Sequence, residues 1–211
     1  NDRRVRRDTF NSFYKGYESY KHTFTQTLKG SINSDTFIAK IRKYNSALEY
    51  ALSNNNIDIS LYQKLCDKIE NNLEPLHKYM KVKKEMLNLD EMHMYDIYVP
   101  LVNSCDKKYS YEEAKEITLD ALKPLGNTYI NDLKNIFNSN CIDVYNNKNK
   151  HSGAYSWGSY DTLPYVLLNF EGTFNDVSTI AHELGHSMHS YFSHKNLECH
   201  TANYTIFLAE F

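Results

Sequence analysis

Very little in this chain interrupts a helix. Seven glycines and four prolines are spread over 211 residues, and long segments repeat apolar residues at three- and four-residue intervals, which places them on one helical face. The first two thirds are therefore expected to be mainly α. A first helix is expected over residues 4–28, with Phe10, Phe13, Tyr14, Tyr17 and Phe24 toward a core. A second starts near Ser34 and gathers Phe37, Ile38, Ile41, Tyr44, Leu48 and Ala51 on one side. The turn formers of "SNNNIDIS" end it, with Ser60 as N-cap of a third helix. That helix runs from Leu61 towards Leu87 through Leu65, Ile69, Leu73 and Leu76, and Pro75 is expected to kink it by removing a backbone donor.

"HMYDIYVPLV" reads as an irregular apolar connector. Ser110 followed by Glu113 forms a capping box that opens a helix to about Leu122. Pro124 and Gly126 end it, and a further helix starts near Asn127 and fades at "FNSN". Beyond residue 140 the pattern changes. "CIDVY", "GAYSWGSY" and "PYVLLNF" are short, rich in β-branched and aromatic residues, and bounded by turn formers, so two or three strands of a small sheet are expected. With no repeat and no linker, residues 1–211 read as part of one region: a helical part over 1–140, then a small sheet with metal-binding helices over 141–211. Both ends fall inside helical patterns and read as cut.

The charge balance, 24 Lys and Arg against 26 Asp and Glu, gives no electrostatic reason for a nucleic-acid or membrane-surface partner. No apolar run is long enough to span a bilayer. Cys66, Cys105, Cys141 and Cys199 are scattered without CxxC spacing, which points to reduced thiols and a cytoplasmic setting. Oligomeric state is not encoded in any of these features.

The segment with the most chemistry is "EGTFNDVSTIAHELGHSMHSYFSHK". Thr173 or Asn175 can cap a helix with Asp176 in its first turn, and Val177, Ile180, Ala181, Leu184, Met188 and Tyr191 form its buried stripe. His182 and His186 lie one turn apart on one face, where two imidazoles can meet at one ion. Glu183 sits beside the first of them, placed to take a proton from water activated by that ion. A catalytic zinc wants a third protein ligand and an open position. The metzincin spacing fails, because its glycine and histidine positions hold His189 and Phe192. A glutamate on a following helix remains: "NYTIFLAEF" reads as that helix, with Glu210 in an otherwise apolar stretch where a cation would compensate a buried carboxylate. Glu210 is thus the expected third ligand and His189 a supporting residue. Gly185, inside the helix at a cost of about 1 kcal/mol relative to alanine, suggests close approach of another backbone. His194, Cys199 and His200 are expected in a solvated connector.

The block "HSGAYSWGSYDTLPYVLLNFEGTFNDVSTIAHELGHSMHSYFS", followed by "YTIFLAEF", closely resembles the catalytic region of the oligoendopeptidase F group within the thimet oligopeptidase family. "LDEMHMYDIYVPLV" and "CIDVYNNKNKHSGAYS" resemble further blocks of that group, so the resemblance covers essentially the whole chain. It implies a helical, zincin-like metallopeptidase with a small β-sheet next to the metal-binding helix. It also implies one zinc ion held by His182, His186 and Glu210, with Glu183 as general base. Peptide binding is implied along Gly153, Ala154 and Tyr155 and along the strand beginning at Tyr165 and Val166. An apolar strand before the metal helix can hold a peptide by strand addition, and it can equally be a core strand with its other edge open. Family members are longer, enclose the site in a channel, and carry a His- and Tyr-containing segment downstream. Two functional readings follow: a zinc-dependent oligoendopeptidase acting on internal bonds of short peptides, or a piece of such an enzyme that binds metal and peptide without turnover. An aminopeptidase with the same ligands is a weaker third, lacking an accompanying exopeptidase motif.

Overall fold

The structure, a computed structural model, describes residues 2–102 and 107–210. It is mainly helical with one small sheet, the expected class. Two compact units divide it, residues 1–104 and 105–211. The compositional change at residue 141 is therefore not a boundary, because the helices before it pack with the sheet that follows.

In the first unit, α1 (Arg3–Glu18) and α2 (Lys21–Ile41) replace the single helix expected over 4–28. The break falls at Ser19–Tyr20, where no glycine or proline marks it. The helix expected from Ser34 is thus the second half of α2, and its remainder is α3 (Ala47–Ser53), capped by Ser46. Asp58, rather than Ser60, caps α4 (Ile59–Glu70), its carboxylate accepting from the Ser60 N–H at 2.8 Å. Pro75 kinks nothing. It occupies the first turn of a new helix, α5 (Glu74–Met86), where its missing N–H has no helical partner to lose.

The aromatic residues of α1 and α2 do not enter a core. Phe13, Tyr14, Tyr17 and Phe24 are exposed and stack on one another along the helix surface, Phe13 on Tyr17 at 5.0 Å and Tyr17 on Phe24 at 5.9 Å between ring centroids. The anchor of this unit is polar. Asp96, in a 3₁₀ turn at Met94–Asp96 inside the expected irregular connector, is fully buried. Its carboxylate accepts from the Arg3 and Arg6 guanidiniums at 3.0 and 2.9 Å and from the His93 N–H at 3.1 Å. Burial alone would raise its pKa, but these donors favour the anion more and hold it down at about 2.

The second unit opens with α6 (Tyr111–Ala121), on the expected Ser110–Glu113 capping box, and α7 (Asn127–Phe137). Then come β1 (Ile142–Asp143), β2 (Tyr155–Trp157) and β3 (Tyr165–Leu167). The sheet order is β1-β3-β2, with β3 parallel to β1 and antiparallel to β2. α8 (Phe174–Asn196) follows, and a connector leads to α9 (Ile206–Ala209). Thr173 caps α8 in a reciprocal box with Asp176. Just before it, Gly172 at φ +78° brings its carbonyl to the Tyr109 N–H at 2.9 Å; a Cβ there would meet the Tyr109 oxygen at 2.7 Å. One core joins Leu133, Ile136 and Phe137 of α7 with Val166, Leu168 and Phe170 and with Val177, Ile180, Leu184 and Met188 of α8. α8 is thereby held along its buried stripe. Ala181 and Tyr191 are only partly buried.

Among the described residues no helix is long and apolar enough to cross a membrane. Cys66, Cys141 and Cys199 form no disulfide; Cys105 lies outside the described residues.

Candidate metal centre

Helical geometry advances about 100° per residue, so His182, His186, His189 and Ser193 of α8 lie within a narrow stripe, with Ser190 at its border. Leu184 and Met188 point the opposite way into the core, where both are 1% exposed. The core therefore fixes which side of α8 presents imidazoles to solvent. The Nε2 atoms of His182 and His186 stand 3.1 Å apart. Two nitrogens bound at about 2.0–2.1 Å to one tetrahedral ion would be roughly 3.3 Å apart, so the pair needs almost no rearrangement.

Glu210 completes the set. His182, His186 and Glu210 are a group whose donor atoms all lie within 4.8 Å of one another, with His186 Nε2 3.9 Å from Glu210 Oε1. Two neutral imidazoles and a carboxylate form a donor set suited to zinc. Glu210 differs from expectation in its setting. It ends the one-turn α9 instead of lying within a helix over 203–211, and its side chain is 58% exposed, not buried among apolar neighbours. Phe211 lies outside the described residues.

Glu183 turns about 100° from His182, toward the side of α8 that β2 covers, and is 7% exposed. Ser187, one turn on, shares a 2.8 Å hydrogen bond with Ser156 of β2. Gly158, just past β2, lies so close to α8 that a Cβ would meet the Ser190 Cβ at 2.5 Å. The glycine that admits a close approach is thus Gly158 and not Gly185, where an added Cβ would have nothing within 4 Å.

The sheet changes the expected substrate edge. β3 is central, both its edges are paired, and Val166 is 3% exposed. Tyr165 and Val166 consequently offer no open edge for strand addition. The Val166 and Leu168 N–H groups donate to Cys141 and Asp143 of the β1 segment, at 2.8 Å each, so Tyr165 and Leu167 bond toward β2. By the alternation of antiparallel ladders, the N–H and C=O of Ser156 then face the side of β2 that carries no strand among the described residues. Gly153 and Ala154 lead into that strand, and the Asn169 amide pins the Gly153 carbonyl at 2.8 Å. Tyr155, Trp157 and Tyr165 project from the sheet face away from Ser156 and are half or more exposed.

His189 does not join the donor group. It stacks on Tyr204, with ring centroids 3.6 Å apart and planes 7° from parallel. Burial, with the neighbouring His186, lowers its pKa below the usual histidine value. His194 lies on α8, partly buried, rather than in the connector; Cys199 and His200 are exposed there as expected. Ser156, Gly158, Ser190 and Tyr204 carry no motif, and only the alternating pattern of "GAYSW" hints at the strand.

The model of peptidase family M3 matches residues 1–211. Oligopeptidase PepF of Bacillus subtilis (strain 168) is 45% identical over 209 residues, covering 99% of this chain and 31% of its own length. Group B oligopeptidase PepB of Streptococcus agalactiae is 40% identical over 99% of this chain and 35% of its own. A crystal structure from Chlamydophila abortus, 48% identical, matches 99% of this chain and 35% of that one at a TM-score of 0.85. The oligoendopeptidase-F structure from Enterococcus faecium, 34% identical, matches 100% and 29% at 0.64. The chain spans about a third of the length of these curated relatives. With a match along its whole length that includes the His-Glu-Leu-Gly-His helix, the chain belongs to peptidase family M3.

Proposed function

We propose that this chain carries the zinc site and proton-transfer group of an oligoendopeptidase that cleaves internal bonds of short peptides. The reading rests chiefly on one observation: three donors of suitable type converge beside a buried glutamate and an open strand edge. His182, His186 and Glu210 would hold the ion, which when bound supplies Lewis acidity for water and for the scissile carbonyl. Glu183 accepts the proton of the attacking water on its carboxylate and delivers it to the leaving amine nitrogen. Its burial against β2 limits competing solvent around the carboxylate. The N–H and C=O of Ser156 pair with the peptide backbone as an added strand, with Gly153, Ala154 and Tyr155 along the same edge and the Tyr165 ring on the outer face. Three described thiols outside any disulfide favour a reducing, cytoplasmic setting.

A second reading, metal and peptide binding without turnover, is favoured by the exposure of Glu210, since an open site excludes little water. Metal content by mass spectrometry, together with hydrolysis of an internally quenched peptide, separates the two. The peptidase reading expects one zinc per chain, turnover, and loss of turnover with retained zinc in Glu183→Gln. Zinc without turnover in the unsubstituted chain selects the second reading. No stoichiometric zinc, or zinc affinity unchanged in Glu210→Ala, removes the ligand assignment.

A further inference from the structure

We infer that Tyr204 is a positioning residue that sets the Glu210 carboxylate against the imidazole pair. This rests on the metal site proposed above and concerns how its third donor is brought into place. In sequence Glu210 lies far from His186; in space it is delivered by a connector, residues 197–205, that folds back along α8. Tyr204 makes two contacts with α8 at adjacent positions. Its ring lies flat on His189, and its hydroxyl shares a 2.8 Å hydrogen bond with the Ser190 hydroxyl. Both partners sit one turn beyond His186, so Tyr204 is docked one turn from the site and Glu210 follows six residues later.

The rest of the connector supports this docking without replacing it. Ser193 donates to the Ala202 carbonyl, Ala202 is 2% exposed, and the Tyr160 hydroxyl donates to the Leu197 carbonyl at 3.0 Å. These bonds return the chain to α8. Tyr204 contacts that helix through its side chain just before the short α9, with Thr205 capping α9 immediately after. Ser190 also packs closely on Gly158, just past β2, in the space a Cβ there would need. The path from edge strand to third donor therefore runs Gly158, Ser190, Tyr204, Glu210. Docking at Tyr204 fixes the chain six residues before Glu210, raising the effective concentration of its carboxylate at the histidines.

The test is a zinc titration of the metal-free chain against a chromophoric chelator, for the unsubstituted chain, Tyr204→Leu, Glu210→Ala and the double variant. Tyr204→Leu is expected to bind zinc about tenfold more weakly, the scale on which residues supporting a metal ligand act. In the Glu210→Ala background the same change is expected to cost less than about twofold, because there is no carboxylate left to position. Tyr204→Phe keeps the stack and loses only the hydroxyl bond, so it should restore most of the affinity lost in Tyr204→Leu. Cobalt(II) absorption should shift in Tyr204→Leu toward the Glu210→Ala spectrum. Zinc binding that depends on Glu210 but is unchanged in Tyr204→Leu overturns this inference alone. Losses that multiply in the double variant also overturn it, since they would mark general loosening of the fold. No zinc on the unsubstituted chain overturns the metal site and this inference together. If Tyr204→Leu does not fold, Tyr204→Phe and Ser190→Ala replace it, since each removes the same hydroxyl bond and keeps the stack. Each is expected to keep most of the affinity with the same small loss, not added in their combination, and losses that are unequal or that multiply overturn the inference.

Discussion

Residues 107–210 bury Leu133, Ile136, Ile180, Leu184 and Met188 in one continuous core, whereas residues 2–102 leave Phe13, Tyr14, Tyr17, Phe24 and Ile41 in solvent. In the first unit Ala39 and Leu52 are the buried apolar residues described, beside the buried charges of Lys83 and Asp96. The contrast separates two ways of fixing helices. α8 is fixed by apolar packing on a sheet, which can hold imidazoles in a set direction. α1 is joined to the 3₁₀ turn through a buried carboxylate shared by two arginines. An apolar surface as continuous as that of α1 and α2 is a feature of faces that meet other protein surface.

The comparison can be broken at several points. The largest effect is expected from Leu184→Ala, which removes a 1%-exposed side chain from the core behind the metal face. It should cost about 3–4 kcal/mol in urea unfolding followed by Trp157 fluorescence, the single tryptophan, which lies in β2. Next comes Asp96→Ala, expected to cost the first unit about 3 kcal/mol by leaving two guanidiniums without their buried partner. Hydrogen exchange should report that loss in α1 and around Met94–Asp96 while α8 keeps its protection. Acid should mimic it. Because the Asp96 pKa is lowered to about 2, its contribution is complete above the unfolded carboxylate value of about 4 and is lost as pH falls from about 4 to 2. Circular dichroism across that window should find it missing in Asp96→Ala.

A smaller effect, about 2 kcal/mol, is expected for Gly158→Ala, whose new methyl would collide with the Ser190 side chain. The smallest is Tyr17→Ser, within about 0.5 kcal/mol in this chain because that ring is half exposed. A cost above 2 kcal/mol for Tyr17→Ser in thermal unfolding would show that the face is covered, and the contrast between the units would have to be redrawn.

The parts of this fold that were legible in the sequence are those set by local chemistry. The Ser110–Glu113 capping box marks α6 because its partners are three residues apart, whereas for α8 the sequence offers Thr173 or Asn175 and the fold uses Thr173, in a box with Asp176. His182 and His186 were legible for the same reason, since one helical turn brings them together. The break at Ser19–Tyr20 is not, having no residue that forbids a helix, and Pro75 reads as a kink because a first-turn proline and an interior one look alike without the preceding break. The aromatic stripe of α1 has the period of a core face, yet Phe13, Tyr14 and Tyr17 stay exposed while Phe10 meets Tyr95 of the 3₁₀ turn. Glu210 is legible from its apolar surroundings in the sequence, although its side chain is exposed in the structure. The order of the strands, and with it the open edge, depends on contacts between segments far apart in sequence, which no local pattern records.

That open edge has a further consequence. Unpaired N–H and C=O groups do not distinguish a short peptide from a strand of a second molecule, so β2 is also a place where copies of the chain can join edge to edge. Its three-residue length and its position close against α8 limit how much ladder such a pairing can form. In the proposed role, the same shortness would let backbone pairing contribute little discrimination between peptides, leaving selectivity to side chains around the edge. A strand short enough to resist self-assembly would, in that proposed role, hold a peptide only briefly.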